Sequence, residues 1–173
     1  MYNCLIISHA RSGSSNLCRS IAKANNLVKC FEPFGKKEPS LLYKSCTKVI
    51  MYRRPVEFFY QLAKRYEKVV LLARRDALAS AESLIYLSSS RTSDVDIKWT
   101  HLTEKQKKLV PLYHNHIKID QKNLNTLSEL LDIPIDYYED VYSKYTLKDS
   151  SIKLDTQFFH PSKKCKIEKF NLI

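Results

Sequence analysis

Arginine, serine and a single glycine are packed into Arg11-Ser-Gly-Ser-Ser15, two residues after the apolar run Cys4-Leu-Ile-Ile-Ser8 and before a helix-forming stretch. That order of residue types suits an anion. A helix leaves the N–H groups of its first turn without partners, and they converge on one spot that favours negative charge. Ser12, Ser14 and Ser15 add hydroxyl donors, Gly13 lets the backbone close in, and Arg11 stands alongside with a permanent positive charge. A phosphate or a sulfate fits such a turn. The nucleotide loop G-x-x-x-x-G-K-[ST] needs two closely spaced glycines and a lysine, whereas this chain has only Gly13 and Gly35, which weighs heavily against an ordinary ATPase or GTPase.

A second segment repeats the design. Lys68-Val-Val-Leu-Leu-Ala-Arg-Arg-Asp76 is a buried-strand pattern that ends in charge and runs into Ala77-Leu-Ala-Ser-Ala-Glu-Ser-Leu84, rich in helix formers. Arg75, Asp76 and Ser83 thereby fall at a strand end and along the helix that follows it.

Taken in order, these segments resemble the sulfotransferases that use 3′-phosphoadenosine 5′-phosphosulfate (PAPS). The first turn is similar to their 5′-phosphosulfate loop, and Arg75 with Ser83 eight residues on is similar to their 3′-phosphate motif. Phe31-Glu-Pro-Phe34 resembles the Glu-Pro element of carbohydrate-type members, Lys48-Val-Ile-Met-Tyr52 stands in the place of the intervening strand, and Tyr138-Glu-Asp-Val141 resembles a late Tyr-Glu-Asp-Leu stretch. The family's proline after the Asp and its nearby arginine are replaced here by Ala77 and Leu78–Ala79, so one basic group is missing and Arg74 is the substitute at hand. The matches span roughly residues 4 to 141, and they are closest in character to bacterial and carbohydrate types.

The resemblance implies a P-loop-like sulfotransferase architecture, a sulfuryl group moved from PAPS to an acceptor hydroxyl by in-line displacement, and no metal. It implies that Arg11 stabilises charge on the departing phosphate, that Ser12, Gly13, Ser14 and Ser15 hold the 5′-phosphate, and that Arg75 and Ser83 hold the 3′-phosphate. Glu32 is the first candidate for the base that takes the acceptor's proton, and His9 is the second. A carbohydrate or another small molecule is the favoured acceptor. Two alternatives stay open: a non-catalytic relative that binds an adenosine bisphosphate, and a degenerate nucleotide kinase-like phosphotransferase.

The elements needed to position these groups are legible in the periodicity. Strands are predicted at Cys4–Ser8, Leu27–Phe31, Thr47–Tyr52, Lys68–Ala73 and Ile133–Tyr138. Helices are predicted at Ser14–Asn25, Pro55–Arg65 and Ala77–Ser88, with a long one within Glu104–Leu131 that Pro111 should bend or split. Thr103 and Gln106 have capping-box spacing. Strands separated by helices give an α/β fold with a mainly parallel sheet flanked by helices and a ligand at the carboxyl ends of the strands. A chain of 173 residues suits one domain, residues 1–173.

Five cysteines without a C-x-x-C pair read as reduced and mostly buried, and five scattered histidines give no metal site. The apolar run at the N-terminus is too short for a signal peptide core or a membrane span, so the expectation is a soluble cytoplasmic protein. The net charge of +11 suits attraction of a polyanion such as PAPS. No RNA-binding sheet motif, zinc finger or basic zipper accompanies it, so specific nucleic-acid binding is not expected. The polar stretch 88–99 closes on Trp99, suited either to stack on a sugar or to anchor the loop, and the segment from Lys148 on has no assignable pattern.

Overall fold

A computed structural model of the chain describes residues 2–31, 44–52, 54–89, 102–144 and 160–161. In chain order the elements are β1 (Tyr2–Ser8), α1 (Ser14–Ala24), β2 (Val28–Phe31), β3 (Ser45–Ile50), α2 (Val56–Ala63), β4 (Tyr66–Ala73), α3 (Ala77–Ser89), α4 (Glu104–Lys107), α5 (Val110–Leu131), β5 (Ile135–Tyr137), α6 (Tyr138–Lys144) and β6 (His160–Pro161). Five strands form an all-parallel sheet in the order β2-β3-β1-β4-β5, and β6 adds an antiparallel pairing along Lys68 and Val69 of β4.

Residues alternate across a strand, so an apolar run with no polar break must be covered on both faces. In β1, Cys4 and Ile6 pack under Leu17, Cys18 and Ile21 of α1, while Leu5 and Ile7 pack against Phe59 of α2 and Leu124 and Leu127 of α5. These side chains are fully or almost fully buried. Helix α3 lies against α5 through Ala77, Ala81 and Ile117. The connection from β1 leaves toward β2 on one side, and that from β4 leaves toward β5 on the other. The two connections therefore part between β1 and β4, and a crevice opens at the carboxyl ends of those strands.

The expected strands and helices form, with ends displaced by a few residues. The long helix is interrupted after Lys107, and Pro111 sits in the first turn of α5, where its missing N–H costs nothing. Thr103 and Gln106 make the reciprocal capping box. Helix α6 and strand β6 were not legible as elements. Glu32, Trp99 and, except for His160 and Pro161, the segment from Lys148 on lie outside the described residues. Among the described residues no helix is long and apolar enough to cross a membrane, and no group of His, Cys, Asp or Glu is arranged to hold a metal ion.

Candidate functional site

The turn after β1 is drawn tight by its own side chains. Ser8 Oγ donates to Ser14 Oγ at 2.9 Å, tying the last strand residue to the first helical one. Gly13 stands at the helix N-cap with φ of +78°, and its carbonyl accepts from Asn16 and Leu17. The N–H groups of Ser14 and Ser15 precede those two and belong to the turn that a helix leaves unpaired. Ser12 is wholly buried, and its Oγ has no hydrogen-bond partner among the described residues. Arg11 also takes a left-handed conformation, φ +61°, which a non-glycine residue adopts only when its surroundings hold it.

Part of that hold comes from Ser83. Arg11 Nε donates to Ser83 Oγ at 2.9 Å across 72 residues, so the two segments singled out by sequence meet at one point. The contact fits the topology, because Arg11 follows β1 while Ser83 lies on α3, which follows the neighbouring strand β4. Asp76, at the start of α3, accepts from Ala79 N–H at 2.8 Å and caps the helix.

A second cation comes from a residue that the sequence reading treated only as strand. Lys48 on β3 pairs in register with Ile6 and is 5% exposed, and its Nζ donates to Ser15 Oγ at 3.2 Å. The signal was present: a lysine in a strand that reads as buried on both faces is out of place unless its ammonium has work at the end of its stem. Arg11 and Lys48 thus reach the two ends of the turn. With the first N–H groups of α1, they are donors of the kind that a phosphate or a sulfate would need.

His9 is wholly buried beneath the turn. Its Nε2 accepts from Arg74 N–H at 2.8 Å, and Nδ1 contacts the Ala10 carbonyl at 2.8 Å, which requires Nδ1 to carry the hydrogen. Burial pushes its pKa below the ordinary value against the pull of those hydrogen bonds. A neutral imidazole with both nitrogens engaged ties the end of β1 to the end of β4 and has no lone pair left for an acceptor proton. The geometry gives His9 a positioning part.

Arg75 is placed at the crevice but turned toward α6. Its guanidinium makes a two-pronged pair with Asp140 at 2.8 and 2.6 Å, and its ring neighbour is Tyr137 at 4.4 Å. The Arg75 N–H donates to Glu139. Proximity to Asp140 raises the Arg75 pKa further. So Arg11 and Ser83 are brought together, and Arg75 is bound to carboxylates apart from them. Arg74 has a buried Nε with no hydrogen-bond partner among the described residues, and its Cζ lies 5.3 Å from the Tyr138 ring centre.

Helix α6 closes the turn from outside. Tyr142 Oη donates to Gly13 O at 2.9 Å, and the Tyr138 and Tyr142 rings lie 4.2 Å apart against Gly13. Burial raises the Tyr142 pKa. Beside the turn, a cavity of about 440 Å³ opens between the ends of β1 and β3 and helices α2, α3 and α5. Comparison of the chain with protein-family models gives no match, and comparison with curated proteins gives none.

Proposed function

We propose that the chain is a PAPS-dependent sulfotransferase whose phosphosulfate site is the turn Arg11–Ser15. The observation that carries this reading is the Arg11–Ser83 hydrogen bond, which joins the two motifs through a contact between strand-end loops. Sulfuryl transfer places growing negative charge on the phosphate oxygen that departs. A cation and aligned N–H donors fixed at that oxygen stabilise the transition state more than the ground state. Arg11 is that cation, held in place by Ser83 and by its backbone. Lys48 adds charge beside Ser15 and offsets the basic group missing from the second motif. The acceptor's oxygen must attack on the side opposite the departing phosphate.

The test is calorimetry with 3′-phosphoadenosine 5′-phosphate and no added metal. Binding is expected, because protein donors meet the phosphates. Binding that needs magnesium, or ATP bound more tightly, removes the assignment and favours the phosphotransferase alternative. Arg11→Ala is then expected to lower the rate constant of transfer much more than it weakens this ligand. Equal losses would place Arg11 in ground-state binding only.

The second phosphate meets a competitor. Arg75 holds the 3′-phosphate in this reading, yet Asp140 occupies both of its forks. Asp140→Asn removes the competing charge and one repulsive neighbour, so the bisphosphate is expected to bind several-fold more tightly, while Arg75→Ala weakens it roughly tenfold or more. Adenosine 5′-phosphosulfate, which has no 3′-phosphate, should respond to neither change. Tighter binding of both ligands in Asp140→Asn would mean a general effect of charge rather than release of Arg75.

A further inference from the structure

The cavity beside the turn is walled mainly by aromatic and aliphatic side chains, with Asp120, His116 and Arg54 as the ionisable residues in its lining. Phe58 and Phe59, packed edge to face with ring centres 5.2 Å apart, line it with Tyr113, Ile117 and Leu84. Its size lies within the range usual for small-molecule sites, roughly 300–1,000 Å³. Asp120 stands in that lining and is 8% exposed. It occupies the inward face of α5 between Ile117 and Leu124, three residues before it and four after it, both of them buried. Among the described residues it has no hydrogen bond and no salt bridge. His116, one turn earlier on the same helix, and Arg54 line the same cavity.

A buried carboxylate without a donor is costly, and proteins rarely keep one without a use. The cavity also adjoins the reacting centre. Ala10 in its wall precedes Arg11, and Leu84 follows Ser83, so the two residues that make the Arg11–Ser83 bond each have a chain neighbour facing this space. A polyhydroxylated sugar would bury many hydroxyls against carbon here. A flat apolar body with one hydroxyl leaves the carbon surfaces matched and gives Asp120 its missing donor.

We infer that this cavity is the acceptor site, that it takes a small aromatic alcohol, and that Asp120 receives the hydroxyl hydrogen. The chemical step rests on the sulfuryl-transfer reading; the binding does not. In that step the acceptor oxygen forms a bond to sulfur, and the bond from sulfur to the 5′-phosphate oxygen breaks with its electron pair leaving on the phosphate. The hydroxyl proton passes to the Asp120 carboxylate and from there to water. Asp120 takes the part for which the resemblance offers Glu32 or His9.

The probes are 2-naphthol and naphthalene, titrated into the full chain and into Asp120→Asn, which keeps the shape and removes the charge. The alcohol is expected to bind the unaltered protein and to lose about tenfold in affinity in the variant, while naphthalene binds both alike. No binding of 2-naphthol, or equal affinity in the two proteins, overturns the site. With PAPS present, Asp120→Asn should slow sulfation of 2-naphthol by about a hundredfold or more, without changing affinity for 3′-phosphoadenosine 5′-phosphate. The defect should shrink as ring substituents make the naphthol more acidic. A defect that is absent, or constant across that series, removes Asp120 as the base. If the bisphosphate fails to bind the unaltered protein, the sulfuryl-transfer reading falls by itself, and the naphthol titration still decides the cavity.

Discussion

Gly13→Ala is expected to destabilise the fold by about 2–5 kcal/mol, enough to unfold a large share of a marginally stable domain. Two costs combine. The residue has φ of +78°, where a side chain costs about 1–2 kcal/mol. A Cβ there would also lie 2.5 Å from Tyr138 Cδ2, 2.7 Å from Cε2 and 2.9 Å from Tyr142 Oη. Forcing α6 to give way is an overpacking change, typically worth about 1–3 kcal/mol. Urea unfolding measures the sum, and repeating it in a Tyr138→Ala background separates the parts, since the steric cost should fall and the conformational one should stay. A loss below about 0.5 kcal/mol would mean that neither contact constrains the turn.

Asp120→Asn is expected to act in the other direction, stabilising the protein at neutral pH. Burial raises the Asp120 pKa from 3.8 to about 6, and the charge of His116 lowers it in part. The folded state therefore holds the Asp120 proton more tightly than the unfolded chain does. Stability from this group is intact below about pH 4, falls as pH rises, and is fully lost above about pH 6. At about 1.4 kcal/mol per pH unit, the cost at pH 7.5 is on the order of 3 kcal/mol. The variant should recover on the order of 2 kcal/mol of it, because a buried amide has a desolvation cost of its own. Thermal unfolding of both proteins from pH 3.5 to 7.5 checks the sign. A gain that is as large at pH 3.5 as at 7.5 would show that ionisation is not its source.

What could be read from the sequence was whatever local patterning controls. The run before Arg11 and the run before Arg74 are apolar without alternation, and they became β1 and β4, the neighbouring central strands. Ser12, Gly13, Ser14 and Ser15 lie in one turn because a strand–turn–helix junction is local. Pro111 and Thr103 act within a few residues of themselves, and both are where their chemistry puts them. Pairings across long separations were not legible. That Lys48 would reach Ser15, that Asp120 would lack a donor, and that Arg75 would be engaged by Asp140 depend on which helix face meets which strand end. His9 shows the limit well: its residue type suggested a base, and the sequence held no sign of the hydrogen bond that Arg74 N–H donates to it from the end of β4.

The clamp of α6 on the turn has a consequence for how the protein comes into being. Tyr142 and Gly13 are 129 residues apart, and synthesis at about 5–20 residues per second separates their appearance by about 6–26 seconds. During that interval β1, β3 and β4 can already be paired, but the carbonyl of Gly13 has no tyrosine to receive and Arg75 has no carboxylates to meet. A nascent chain that has not yet released Tyr138 to Tyr142 from the ribosome therefore carries an unclosed turn, with Arg75 unpaired by Asp140, until α6 docks.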